Sequence, residues 1–205
     1  MFFNDRTDAG NRLANVVASA GDFRGWMVIG LARGGVIVGA PIAKTLSLPL
    51  ASLYCDDISL KKRTFVATGL GSVVVWEGGK RRVVDNAAAL RSVPILAELI
   101  AVAGQKQALY NNGLDLAVAG KRIILCDDGI VSGRSAVSAI EALRHAGAEE
   151  IVLVVPIVPK DLPETVAGCR TLFIRRSISS SFATGMFYTN FGDVPDDEVK
   201  QAIAA

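Results

Sequence analysis

The sequence predicts an α/β fold in which a mostly parallel sheet carries helices on both faces. Two observations lead to it. Short apolar runs without polar alternation recur along the chain, as expected of strands buried on both sides. They alternate with stretches of helical periodicity, which is the signature of parallel strands joined by crossover helices. The chain has 205 residues, 51% of them hydrophobic and 20% charged, enough for one sizeable core.

Taken in order, Ala9, Leu13, Val16, Val17 and Ala20 share one face of an opening helix that stops near Gly21. "WMVIG" (26–30) reads as a strand and "LARGG" (31–35) as a turn. "VIVGAPIAKTL" (36–46) reads as a helix, with Pro41 tolerable only near its first turn. "LASLYC" (50–55) is the second strand, and "TFVATGLGSVVVWEGG" (64–79) a hairpin turning at Gly69 and Gly71. A helix starts near Pro94 and stops at Gly113. "RIILC" (122–126), "IVLVVP" (151–156) and "TLFIRR" (171–176) complete the strands, with a helix through Val137, Ile140 and Leu143 ending at Gly147. One domain over 1–205 is expected. Its additions are a flexible loop or hairpin at 56–85 and a C-terminal hood or tail at 177–205.

A net charge of +2 argues against nucleic acid or an anionic membrane as partner. The runs "KKR" (61–63) and "KRR" (80–82) read as solvated surface, or as a loop closing over an anion. The three cysteines, Cys55, Cys126 and Cys169, lack CxxC spacing and support neither a disulfide framework nor a zinc site. No apolar run is long enough to span a membrane, and the cytoplasm is the expected compartment.

Ligands of open α/β sheets bind at the carboxyl ends of strands, near the point where strand order reverses. Two strand ends stand out: "GLARGG" (30–35) and "CDDGIVSGRS" (126–135). In the second, Gly129 and Gly133 let a ligand approach the main chain, and successive N–H groups can form an anion-binding nest. The following helix adds its unpaired N–H groups and positive dipole end, and Ser132 and Ser135 add hydroxyls. That suits a phosphate monoester. Asp127 and Asp128 can only accept, which suits hydroxyls rather than phosphate. A ligand with a phosphate at one end and a vicinal diol nearby, such as ribose 5-phosphate, fits both halves. The spacing matches neither the P-loop nor the G-x-G-x-x-G dinucleotide fingerprint.

The stretch 122–135 resembles the phosphoribosyl pyrophosphate (PRPP) motif of type I phosphoribosyltransferases. "FNDRTDAGNRLA" (3–14), "GLARGGVIVGAPIA" (30–43) and "FYTNFGDVPDDEV" (187–199) are similar to three other stretches of an uncharacterised bacterial subgroup of that family. The resemblance implies a Rossmann-like fold and a Mg²⁺-dependent enzyme that transfers ribose 5-phosphate from PRPP to a nitrogenous base, releasing pyrophosphate. It also implies a homodimer, and Mg²⁺ reaching the site with PRPP rather than on direct protein ligands. Asp127 and Asp128 then match the pair that holds the ribose hydroxyls. Gly129, Ile130, Val131, Ser132, Gly133, Arg134 and Ser135 match the 5′-phosphate loop. Leu31, Ala32, Arg33, Gly34 and Gly35 match the pyrophosphate loop, often built around a non-proline cis peptide, with Arg33 as the cation facing pyrophosphate.

Two positions depart from the family pattern. Val131 stands where enzymes acting on 6-oxopurines keep an acid, which disfavours that acceptor. Asp56 and Asp57 stand where the subgroup commonly has a basic pair. The second departure keeps open a non-catalytic protein of the same fold that binds PRPP or a nucleotide. A third reading has the acidic pair binding metal alone, as in receiver-like domains. Phe182, Phe187, Tyr188 and Phe191 could stack a flat base or pack the C-terminal segment. His145 at a helix C-terminus meets the dipole favourably.

Overall fold

The computed structural model describes residues 2–162, 166, 168–177, 179 and 182–205. The chain opens with α1 (Arg6–Ala20), β1 (Met27–Leu31), α2 (Gly34–Leu46) and β2 (Leu50–Leu53). Four strands follow: β3 (Cys55–Leu60), β4 (Arg63–Thr68), β5 (Ser72–Glu77) and β6 (Lys80–Asp85). Then come α3 (Asn86–Ser92), a 3-10 turn (Pro94–Leu96) and α4 (Ala97–Tyr110). The chain continues through β7 (Arg122–Cys126), α5 (Arg134–His145), β8 (Glu150–Val158) and β9 (Arg170–Arg176). A 3-10 turn (Thr184–Phe187) and α6 (Asp196–Ala204) end it.

The main sheet has the order β2-β1-β7-β8-β9, with every neighbouring pair parallel. Strand alternation divides its core. Val28, Ile124, Cys126, Val152 and Val154 pack against Leu13 and Val17 of α1 and Val38 and Ile42 of α2. Their neighbours Ile29, Ile123, Leu125, Leu153 and Val155 pack on the other face with Ala139, Ile140 and Leu143 of α5. Both faces are therefore covered, which is why these strands read as continuous apolar runs. Strand order reverses between β1 and β7, because α2 leads from β1 to one side and α5 leads from β7 to the other.

The segment 56–85 exceeds the hairpin expected of it. β3, β4, β5 and β6 form a four-stranded antiparallel sheet in sequence order. Phe65, Ala67, Val73 and Val75 pack with Ala89, Leu96 and Ala103 beneath them. On the α5 side, the Trp76 indole N–H donates to Ser138 Oγ at 2.9 Å and Arg81 pairs with Glu141 at 2.7 Å. The outer strands escaped notice because β3 and β6 are edges, each with a polar or charged residue at alternate positions.

Other boundaries also move. "LASLYC" breaks at Tyr54 into the end of β2 and the start of β3. β8 runs on through Pro156, which lies past Val154, the last residue paired with β7. Pro41 sits in the middle of α2, not in its first turn. Tertiary packing overrides the local penalty here. Gly10 of α1 has no side chain to hold the helices apart, and a Cβ there would lie 2.5 Å from the Val38 carbonyl oxygen and 3.0 Å from the Pro41 ring.

The C-terminal segment returns to the beginning of the chain. Phe3 and Tyr188 form a parallel bridge, and the Thr189 N–H donates to the Phe3 carbonyl at 2.8 Å. Phe3 and Tyr188 are buried, with Phe187 and Phe191 packed on them. Val199 of α6 joins Val36, Ile37 and Tyr110, while Lys106 and the Tyr110 hydroxyl both engage Asp196. No helix among the described residues is long and apolar enough to cross a membrane.

Two glycine substitutions separate propensity from packing. In α4, Gly104 has no heavy atom near a built Cβ, so Gly104→Ala should stabilise by up to about 1 kcal/mol through helix propensity alone. Gly10→Ala should instead destabilise by about 1–3 kcal/mol, the usual cost of overpacking. Urea midpoints of the two variants should therefore move in opposite directions.

Candidate functional site

The switch point between β1 and β7 brings the two glycine-bearing strand ends into contact. A Cβ on Gly35 would strike the Cys126 carbonyl oxygen and lie 2.9 Å from the Asp127 Cα. A Cβ on Gly34 would strike the Asp128 carboxylate and lie 2.8 Å from Arg6 Nε. The pair Gly34-Gly35 is thus demanded by closeness of approach. The Ala32–Arg33 peptide bond just before it is cis.

Asp127 and Asp128 leave the end of β7 half-buried. The chain then folds back under Ile130, which is 1% exposed and donates its N–H to the Ile157 carbonyl at 3.0 Å. Gly129 lies directly beneath Thr184 and Ile157, whose side chains a Cβ would meet at 2.6 and 2.8 Å. Gly133 adopts φ 73°, a conformation glycine takes without steric cost, and so turns the loop into α5. As the N-cap it brings no capping side chain; the Arg134 N–H at the start of α5 meets only the neighbouring Ser132 hydroxyl, at 3.4 Å. Val131, Ser132, Arg134 and Ser135 are exposed.

These elements surround a cleft of about 290 Å³. Of the residues expected from sequence, Asp127, Asp128, Ala32 and the whole loop from Gly129 to Ser135 line it, together with Leu31. Gly34 and Gly35 lie behind the acidic pair rather than in the wall. Arg33 does not line the cleft either. Its exposed side chain acts electrostatically on Tyr54, Tyr110 and Asp196, on the side of α4 and α6.

Several contributors were not legible in the sequence. Cys55, the first residue of β3, lines the cleft, where burial and the charges of Asp127 and Asp56 push its thiol up to about 12. It is therefore protonated at neutral pH. Arg6 donates from Nε to Asp128 Oδ2 at 2.8 Å and from Nη1 to the Gly192 carbonyl at 2.8 Å. Its guanidinium lies 3.9 Å from the centroid of Phe191. The Tyr188 hydroxyl donates to the Asp128 carbonyl at 2.7 Å. One signal for Arg6 was available: a cation in the first turn of a helix opposes the dipole, and so asks for another partner. The second sheet also reaches the loop, where Asp57 Oδ2 lies 3.9 Å from Arg134 Nη1.

Burial, and next the neighbouring Asp128, hold the Asp127 carboxyl well above its usual range, against the Asp128 N–H bond and the more distant Arg6. The acidic floor is thus incompletely compensated. Among the described residues no group of three or more His, Cys, Asp or Glu is placed to hold a metal ion by itself.

A model of the phosphoribosyl transferase domain matches residues 7–174, and the chain belongs to that family. A Mycobacterium tuberculosis protein carrying the provisional name phosphoribosyl transferase, known from two strains, is 31% identical over 207 residues. The match takes in 96% of this chain and 45% of that protein, so the chain spans about half the length of these relatives. A crystal structure of a Thermus thermophilus protein superposes with a TM-score of 0.77 at 25% identity, covering 99% of this chain and 98% of that one. The α/β fold with its mostly parallel sheet is the one the Thermus thermophilus protein shares.

The raised Asp127 carboxyl gives a pH-dependent stability with a defined sign. A carboxyl held above its unfolded value of 3.8 costs nothing below that pH, where both states are protonated. The cost grows as pH rises through the folded value and is complete above it. Asp127→Asn should therefore be more stable than the parent at pH 8, with the gain vanishing toward pH 3.5, as read from denaturant midpoints across that range.

Proposed function

We propose that this protein is a phosphoribosyltransferase that takes PRPP and transfers its ribose 5-phosphate to a nitrogenous base, releasing pyrophosphate. The observation that carries this is the single cleft in which two adjacent carboxylates adjoin a glycine-bearing loop running into an uncapped helix N-terminus. A phosphate monoester binds N–H groups of the loop from Val131 to Ser135, the Ile130 N–H being committed to the Ile157 carbonyl. The ribose hydroxyls donate to Asp127 and Asp128. Pyrophosphate lies against the start of the loop Leu31 to Gly35, where Leu31 and Ala32 line the cleft, and the exposed Arg33 side chain supplies the cation; a planar donor fork suits that ligand.

The reaction is a displacement at ribose C1. The bond from C1 to the pyrophosphate oxygen breaks, positive charge develops on the ring, and the acceptor nitrogen attacks and loses its proton. The protein's part is positioning and electrostatic stabilisation, and the acidic floor is well placed to favour a cationic ring. The incompletely compensated Asp127 also fits a divalent cation arriving with its substrate, which Asp127 and Asp128 would help to hold. When bound, Mg²⁺ supplies charge neutralisation of the leaving pyrophosphate. Val131, exposed in the loop where an acid would assist a 6-oxopurine, points to a different acceptor. The same reading has one domain over 1–205 working as a cytoplasmic homodimer.

One observation favours a second reading, a non-catalytic protein that binds PRPP or a nucleotide. Asp57 stands 3.9 Å from Arg134, so an acid on β3 faces the cation of the phosphate loop. PRPP binding with no pyrophosphate release across a full panel of bases would establish it, and release with any base would remove it.

At one hundred times its dissociation constant, PRPP with Mg²⁺ should raise the melting temperature by about 5–10 °C. Asp127→Asn and Asp128→Asn should each lower PRPP-dependent pyrophosphate release by at least about 100-fold on the acceptor found, and chelation of Mg²⁺ should abolish it. Unchanged turnover in both variants would overturn the assignment.

A further inference from the structure

We propose that Arg6 is a positioning residue that makes the two carboxylates unequal, turning Asp128 so that a single oxygen, Oδ1, is left to receive a ribose hydroxyl. The inference rests on the acidic pair holding the ribose.

The geometry is specific. Arg6 Nε takes Asp128 Oδ2 at 2.8 Å, and the two side chains are only 13% and 19% exposed. Arg6 is itself fixed from two other directions, by the Gly192 carbonyl at 2.8 Å and by the ring of Phe191 at 3.9 Å. Asp128 is fixed in turn by the missing side chain of Gly34, against which its carboxylate lies, and by Tyr188 on its carbonyl. With Oδ2 committed, the carboxylate has a defined plane, and its remaining oxygen is the acceptor available to a ligand.

Asp127 is arranged differently. Its Oδ1 accepts only the Asp128 backbone N–H, at 2.9 Å, and no cation pairs with it among the described residues. One acid is therefore compensated and oriented, while its neighbour is left uncompensated.

A guanidinium is required for this. The Asp128 and Gly192 oxygens are served by two separate N–H groups of one planar fork, while the ring of Phe191 covers its face. A lysine brings a point charge without the planar fork, and so does not fix the plane of the carboxylate. The placement also links three distant parts of the chain, since Arg6 begins α1, Asp128 follows β7, and Gly192 precedes α6.

The test is calorimetric, with ribose 5-phosphate as one probe and inorganic phosphate, which reports on the loop alone, as the other. Arg6→Ala should weaken ribose 5-phosphate by about tenfold, the loss expected when one charge-assisted hydrogen bond is misdirected, and leave phosphate within about twofold. Arg6→Lys, which keeps the charge and guards against a fold too weakened to measure, should fall between the two. In an Asp128→Asn background the Arg6→Ala loss should largely disappear, since both substitutions then act through one group. Additive losses, or an equal loss for both probes, would show that Arg6 merely braces the fold. A parent that prefers ribose 5-phosphate while Arg6→Ala keeps that preference overturns this inference alone. A parent that binds ribose 5-phosphate no better than phosphate overturns the ribose role of the acidic pair, and this inference with it.

Discussion

The structure turns on the contact between two backbones at the switch point of the main sheet. The start of α2 lies so close to the end of β7 that a side chain on Gly35 would run into main chain, and one on Gly34 would displace the Asp128 carboxylate. Because of that contact, the loop after β1 and the acidic pair after β7 are parts of one surface. It also sets the carboxylate of Asp128 against main chain rather than solvent, where a single cation can fix its orientation. The reversal of strand order creates the crevice, and the paired glycines decide how narrow it is.

Around this contact the charges are unevenly matched. Asp128 has Arg6, whereas Asp127 has only a backbone N–H and a repelling neighbour. Such an arrangement disfavours the free state and rewards any ligand that brings hydroxyl donors or a cation. On the opposite side of the cleft, α5 begins without a side-chain cap. The two walls thus present acceptors and donors respectively, a division that suits a sugar phosphate. The second sheet brings Cys55 to the wall and Asp57 toward the loop, so it takes part in the cleft rather than hanging beside it.

The centre of the main sheet was legible because β1, β7 and β8 are buried on both faces and so read as unbroken apolar runs. The loop of Gly129 to Ser135 was legible because glycine, serine and paired acids at a strand end leave few other readings. What escaped was decided by packing. β3 and β6 are edge strands with mixed faces, and α3 is a short helix with a single buried residue, Ala89. Pro41 was misplaced because its acceptability depends on Gly10, thirty-one positions earlier, and no local rule connects the two.

By itself, the sequence determined the buried strands of the main sheet, the acidic pair and the phosphate-type loop, since each depends on residues adjacent in the chain. Only the tertiary structure decided which side chains complete the cleft. Arg6, Thr184 and Tyr188 come from the first helix and the C-terminal return to meet at Asp128 and Gly129, and Cys55 reaches the cleft from the second sheet. It likewise left Arg33 outside the cleft wall, where its charge acts on Asp196, because the charges around an exposed side chain are assembled only by folding.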